Sequence, residues 1–350
     1  MKSYSHLYEK MIEPGVIKLA IKRSSKGRKK KRNRRILWIS KHPDEMIEYY
    51  RLYAAGYYAK PRPAKEIYDG ISKKIRKVTV PTFDEQVLMN MMITVLEPII
   101  MKELYYHVHG SIPGRGCHKA KKQICKWIRK DKKGTRYFYK YDIRKFFDSI
   151  SHTFIKYFLE RKIKDVKFLR LLYQIIDNTN IGLPLGFPTS HWLAHWYIAD
   201  IDRKVLSVYH PAHYVRYVDD VVIFDSSKRK LHRIHRFLNK ALLHHLLIMK
   251  GNYQIYKLNS TKGCALDFMG FKFYTNRVIL RKSIMVRITR MARKLFIKQL
   301  TIYDCRRAIS ALSYIKSSNV YEMYTEKIKP YVNIGDCKSY ISIYDKRNVA

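Results

Sequence analysis

Between Tyr214 and Phe224 the chain reads YVRYVDDVVIF, two β-branched and aromatic runs interrupted by two adjacent acids, Asp219 and Asp220. Apolar runs of this composition fold as strands. Asp is disfavoured inside a strand, so the acids belong at the tip between two strands. No Gly, Pro or Asn is present to make an ordinary turn there. Like charges side by side also repel. Any fold this chain adopts has to hold a charged tip on its most β-rich region.

A second strand ends in an acid. TRYFYKYDI, Thr135 to Ile143, alternates in strand fashion and reaches Asp142 near its end. If the two strands are neighbours in one sheet, Asp142 and Asp219 converge at one edge. Converging carboxylates repel unless a divalent cation lies between them. Oxygen-only ligands suit magnesium, which keeps water and takes further ligands from substrate phosphates. Two such ions activate a 3′-hydroxyl and stabilise a leaving pyrophosphate. The backbone carbonyl of Ile143 is a further candidate ligand. A DD pair alone reads as a solvated surface turn; its companions give it weight.

The strongest companion is charge. Lys and Arg number 71 against 28 Asp and Glu, a net +43 in 350 residues. Such an excess repels itself in a compact state and calls for a polyanionic partner. Nucleic acid is the expected one, with counterion release supplying affinity. The segment Ile21 to Arg35 is almost all Lys, Arg and Ser and is expected to be a flexible arm along a phosphate backbone. Hydrophobic residues make up 47%, enough for a globular core with two or three subdomains. No apolar run has membrane-span length, and the N-terminus lacks the apolar core of a signal peptide, so a cytoplasmic protein with no membrane partner is expected. Five scattered cysteines without a CxxC pair predict reduced, mostly buried thiols.

The first 70 residues read as basic and helical. IRKVTVP, from Ile75, alternates like a half-buried strand, and Thr82 with Glu85 forms a capping-box signature ahead of a helix running to about Leu104. His107 to Ala120 is a Gly-punctuated basic loop opening onto a helix. Ile181 to Ser190 is a second Gly/Pro loop, followed by an aromatic-rich buried helix. A basic helix follows the double acid, then two or three strands including LDFMGFKFY, and helices from Ser283 onward.

In order, KYDIRKFFDSI, GLPLGFPTS, YVRYVDD and LDFMGFKFY resemble the successive palm motifs of a reverse transcriptase. RKVTVPTFDEQVL and HGSIPGRGCHKA resemble the fingers motifs of bacterial members, so the resemblance covers about residues 70–275. It implies an α+β right-hand fold: a basic helical region over 1–70, fingers over 71–134, a palm over 135–275 and a small helical thumb over 276–350. It implies an RNA-directed DNA polymerase that uses two Mg2+ ions, with Mn2+ as a substitute, and binds an RNA template, an RNA/DNA duplex and dNTPs. Asp142 and Asp219 would hold the metals with Ile143, and Asp220 would support them or touch a metal. Phe147 falls where the family places an aromatic gate against a ribose 2′-hydroxyl. Arg76 and Lys77 resemble the residues that bind the incoming triphosphate, and Gly186 would allow close backbone approach to it. Arg115 would contact template backbone, Tyr217 and Val218 would lie under the primer end, and Met269 and Gly270 would turn the primer-grip hairpin.

The chain departs from the family in places. Ser190–His191 stands where many bacterial relatives read SQ, and the lysine often found after the double acid has no clean counterpart, Lys250 being nearby. His191 and His195, four apart, are expected to pack rather than bind metal. Residues 276–350 are too few for an endonuclease, RNase H or integrase after the thumb, so one of the compact enzymes without such domains is expected. Those of diversity-generating retroelements and of phage defence are the nearest in motif, working with a dedicated noncoding RNA or an accessory protein. An RNA-dependent RNA polymerase and an inactive RNA-binding relic stay open as alternatives.

Overall fold

The computed structural model describes residues 3–27, 33–60, 63–69, 74–259, 265–297, 300–316 and 318–347. Its strands, in chain order, are β1 (Lys65–Asp69), β2 (Lys74–Val78), β3 (Val108–His109), β4 (Tyr137–Asp142), β5 (His213–Tyr217), β6 (Asp220–Asp225), β7 (Gln254–Lys257), β8 (Leu266–Phe268), β9 (Phe271–Phe273) and β10 (Val278–Leu280). They form three sheets, ordered β1-β2, β10-β9-β8 and β3-β5-β6-β4-β7. Helices make up most of the remainder, so the class is α+β, as expected. No helix among the described residues is long and apolar enough to cross a membrane.

The chain divides into two compact units. The first comprises Met1–Arg115, Tyr141–Val221 and His232–Tyr253. Its centre is the helix Phe83–Glu103, apolar nearly all round, with Val87, Leu88, Met91, Met92 and Ile100 buried. A helix hydrophobic on every side has to be enclosed. The helices Pro14–Ser24 and Pro188–Tyr197 pack on it. It starts where the sequence placed it: the Thr82 hydroxyl accepts from the Glu85 N–H at 3.2 Å, and the Glu85 carboxylate accepts from the Thr82 N–H at 2.7 Å. The helix Pro188–Tyr197 buries Trp192, Trp196 and Tyr197, and the chain then re-enters helix at Ala199–Lys204 and closes with a π turn at Val205–Tyr209.

The second unit comprises Gly116–Lys140, Val222–Leu231 and Gln254–Ala350. It holds the β10-β9-β8 sheet and the helices Lys282–Phe296, Ile302–Lys316, Tyr321–Lys327 and Ile334–Arg347. Arg281 clamps Asp267 across this sheet, its Nε and Nη2 donating to Oδ1 at 2.8 and 2.6 Å. A planar guanidinium matched to a carboxylate in this way fixes orientation as well as charge.

Some expectations need correction. Ile21 to Ser24 are the last turn of the helix Pro14–Ser24, and Arg34 and Arg35 begin the helix Arg34–Lys41, so these parts of the basic segment are helical; residues 28–32 lie outside the described ones. β2 is not half-buried: it pairs with β1 in a two-stranded ribbon on which Ile75 is 64% exposed and Arg76 and Lys77 are both exposed. Alternation shows that a strand has two faces but not whether either is covered. Among the described residues four short strands, not two or three, follow the basic helix. Cys305 and Cys337 are buried, Cys117 and Cys125 half-buried, and Cys264 lies outside the described residues.

Candidate active site

The two acid-ending strands lie side by side, β6 next to β4 in the sheet, and the chain turns at Val218–Asp219 between β5 and β6. The Ile143 N–H donates to the Asp219 carbonyl at 3.3 Å, which ties the end of β4 to the turn. The carboxylates of Asp142 and Asp219 meet there. Burial first, and then the charge of Asp142, push the Asp219 carboxyl up to about 6; Lys250 and Arg76 pull the other way. Oδ1 of Asp142 is buried and meets no hydrogen-bond partner among the described residues. Its Oδ2 accepts from Lys250 Nζ at 2.7 Å, and its carbonyl accepts from the Lys250 N–H at 2.9 Å.

A buried carboxylate oxygen without a donor, beside a second carboxylate that resists ionising, fits a hard divalent cation. No three His, Cys, Asp or Glu side chains among the described residues come close enough to hold a metal together. The charge of Asp142 acts on Asp219. Asp220 is the first residue of β6, one step along the strand from Asp219, and side chains alternate between faces at that spacing. Ile143 is buried directly after β4, with its backbone at this edge.

The turn is held by tertiary contacts instead of turn residues. Val218 sits at φ 58, a left-handed conformation that a β-branched residue rarely adopts. Its N–H donates to the His109 carbonyl at 3.1 Å, and its carbonyl accepts from Arg216 Nη1 at 3.0 Å. A side chain on Gly110 would come within 2.6 Å of Val218 Cγ2, so a glycine is required opposite the turn. Arg216 is fully buried. Its Nε and Nη2 reach Asp202 Oδ2 at 2.8 and 2.6 Å, and Nη1 lies 2.9 Å from His195 Nδ1. Tyr214 donates its hydroxyl hydrogen to the other oxygen of Asp202. Burial, and then the Arg216 charge, hold His195 well below the usual imidazole range. It is therefore neutral, accepts from Arg216 at Nδ1, and donates from Nε2 to the Gly110 carbonyl at 2.8 Å. His195 is thus a packing histidine, as expected, and one with a defined task.

The remaining predicted residues divide. The charge of Arg76 is felt at Asp219, whereas Lys77, next along β2, faces the other side of the ribbon. Phe147 is half-buried, its ring edge-on to His191 with centroids 5.0 Å apart, while Phe146 is the buried core aromatic. Gly186 has φ 105, and a Cβ there would meet the Thr79 carbonyl oxygen at 2.4 Å, so this glycine is already required by packing against the end of β2. Arg115 is buried, donates to the Tyr105 carbonyl at 3.2 Å and lies over the Tyr106 ring, which makes it a brace within its own loop. Tyr217 ends β5, half-buried. Met269 and Gly270 turn the chain between β8 and β9 in the second unit, at φ 51 and 84.

Sequence reading missed Arg216, Asp202 and Gly110. The visible signal for Arg216 was a cation in the middle of an otherwise apolar strand. A buried charge needs a partner, and the sequence does not say which acid supplies it.

A family model described as reverse transcriptase (RNA-dependent DNA polymerase) matches residues 60–252, more than half of the chain. The group II intron-encoded protein LtrA of Lactococcus lactis subsp. cremoris is 31% identical over 160 residues, 42% of this chain and 26% of its own. The retron Ec73 reverse transcriptase of Escherichia coli is 26% identical over 150 residues, 39% of this chain and 48% of its own. The chain thus spans less than half the length of these curated relatives. Among solved structures, telomerase from Candida tropicalis in complex with a fragment of telomeric RNA has a TM-score of 0.49 at 12% identity, covering 79% of this chain and 56% of that one.

Proposed function

The chain belongs to the reverse transcriptase family, and from that premise we propose that it is an RNA-directed DNA polymerase that extends a primer 3′ end with dNTPs on an RNA template. The observation that carries the reading is the convergence of Asp142 and Asp219, one carboxylate oxygen buried without a donor and the other carboxyl held up by burial and by its neighbour. Two divalent ions, magnesium or manganese, would supply Lewis-acid activation of the primer hydroxyl and charge compensation at the pyrophosphate. Asp142 and Asp219 would hold them with the Ile143 carbonyl, and Asp220 would support the pair. Lys250, now on Asp142, is freed for the phosphates once that carboxylate is otherwise engaged. Arg76 on the exposed ribbon binds the triphosphate, with Lys77 beside it, and charge-assisted hydrogen bonds give that contact its strength. Phe147 excludes the 2′-hydroxyl.

In this reading residues 71–134 are the fingers, 135–275 the palm and 276–350 the thumb, with Met269 and Gly270 at the primer grip, Tyr217 and Val218 beneath the primer end, and Arg115 shaping the template loop. The enzyme serves a bacterial retroelement or an antiphage system, with a structured RNA as its template.

Purified protein supplied with divalent ions, a primer on an RNA template and either dNTPs or NTPs tests this. Incorporation of dNTPs over NTPs is expected, with Asp219→Ala abolishing synthesis while leaving salt-dependent RNA binding. Phe147→Ala should relax the sugar preference. Tight RNA binding with no incorporation on any template would sink the enzyme reading, and preference for NTPs would shift it to an RNA polymerase.

A further inference from the structure

A cavity of about 350 Å³ opens in the first unit, lined by residues that take no part in the site above. The helix His152–Lys162 supplies one wall with Phe154, Tyr157, Phe158 and Arg161, positions that fall on one helical face. Tyr197 and Asp200 form the floor with His245, and Arg203 and Lys204 stand at the rim.

The floor is rigid. Phe158 lies edge-on to Trp196 and Tyr197, with centroids 5.3 and 6.3 Å apart. The Tyr197 hydroxyl donates to the His245 carbonyl at 2.9 Å, and the two rings meet edge-on at 5.4 Å. His245 Nε2 lies 3.5 Å from Asp200 Oδ1. The wall, by contrast, is left open: Tyr157 is 57% exposed and Phe154 37% exposed. Arg161 places its guanidinium 5.7 Å from the Tyr157 ring centre and has no carboxylate partner among the described residues. A packed aromatic floor, open rings beside it, and cations around the mouth form a chemically specific set. Unpaired bases are bound by stacking on aromatic and guanidinium planes, with the flanking phosphates held by cations. The volume is within the range of small-ligand sites. Asp200 Oδ1 is buried without a hydrogen-bond partner among the described residues and gives the floor an acceptor for a base edge, whereas His245 already has Nδ1 3.0 Å from the Ala241 carbonyl and Nε2 towards Asp200.

We infer that this cavity is a binding pocket for an unpaired nucleotide of an RNA strand, separate from the polymerising site. The base stacks on Tyr157, and Arg161 holds the adjoining phosphate; Arg203 and Lys204 at the rim are paired with Glu103 at 3.6 Å and Asp200 at 3.7 Å and add to the positive field there. The excess of cations at the mouth favours this occupant over a protein segment, as does a chain with a net +43. The inference rests on the reverse transcriptase reading only for the choice of RNA.

The test uses the full chain and a fluorescein-labelled oligouridylate carrying 4-thiouridine. Ultraviolet crosslinking should attach a nucleotide to the peptide holding residues 152–162. Tyr157→Ala should remove that crosslink and weaken oligonucleotide binding about tenfold, the scale of one lost stacking contact. Tyr157→Phe keeps the ring and should restore both. Primer extension on a short preformed primer–template should be unchanged in either variant, since the residue is far from the carboxylates in role and largely solvent-exposed. No crosslink to that peptide, or an equal yield from Tyr157→Ala, overturns the inference. Self-association of the wild type in sedimentation that Tyr157→Ala dissolves would also overturn it, in favour of a protein contact. If the wild type forms the crosslink but extends no primer, the pocket stands and the polymerase reading fails.

Discussion

Asp219 carries opposing demands. Its carboxyl is pushed up from 3.8 to about 6 by burial and by Asp142, so ionising it at neutral pH costs the metal-free fold on the order of 2–3 kcal/mol. The sign follows from the direction of the shift. With the folded value above the unfolded one, the proton is held more tightly by the folded chain, and the stability it contributes is complete below about pH 4 and lost as pH rises through 6. Asp219→Asn removes the ionisation. In the absence of divalent ions this variant should be more stable than wild type at pH 7 by about that amount, and the difference should vanish near pH 4. Denaturant melts of both proteins across this range measure it. Adding Mg2+ should raise the wild-type midpoint and leave the variant's unchanged. Equal stabilities at pH 7 would mean that neither burial nor Asp142 opposes the Asp219 charge, and the metal-site reading would lose its physical basis.

At the scale of the element, the β5–β6 hairpin is a turn imposed from outside. Val218 adopts a conformation that costs an L-residue roughly 1–2 kcal/mol, and the hydrogen bonds from Arg216 and to His109 hold it there. Arg216 also joins Asp202 and His195, so one guanidinium ties the helix Pro188–Tyr197, the residue Asp202 and the hairpin tip together. Lysine keeps the charge but lacks the fork that serves these partners at once. Arg216→Lys should lower stability by about 1–3 kcal/mol, as buried hydrogen bonds are lost. It should also lower turnover at least tenfold at saturating dNTP with little change in KM, because the carboxylates and not the nucleotide contacts are displaced. Single-turnover extension beside a denaturant melt separates the two effects; unchanged turnover in a destabilised protein would leave Arg216 a purely structural residue.

The same hairpin shows what a sequence discloses. Asp142 and Asp219 were legible because acids that end apolar strands break a local pattern, and the Thr82–Glu85 cap because its partners are three residues apart. Arg216 was visible as an anomaly without a cause, since Asp202 and His195 come to it from another element. Gly110 was one glycine among three in a basic loop until the turn it faces was in place. Gly186 was read as room for a nucleotide, but the carbonyl of Thr79 already needs that room. Local chemistry is written locally; the contacts that hold the site are long-range.

Over the whole molecule, the net charge of +43 sets two responses to salt that run in opposite directions. Free in solution, the chain repels itself, and added salt screens that repulsion within a Debye length of about 8–10 Å at physiological strength. Thermal stability of the free protein should therefore rise with salt, and rise further with a polyanion at fixed salt. Bound to RNA, the same cations have displaced counterions, and salt opposes binding. A chain that neutralises six to ten phosphates of a duplex should lose roughly 10³–10⁵ in affinity between 50 and 200 mM salt. Both responses are measured on one preparation, by melting and by fluorescence anisotropy over one salt series. Stability that rises while affinity falls would show that the excess charge is arranged to be neutralised by phosphate. A flat affinity would mean that the basic residues are dispersed over surfaces the RNA does not touch. The slope of the logarithmic plot then counts the phosphates held, and its change in Arg161→Ala, about one contact fewer, ties the whole-molecule charge to a single side chain.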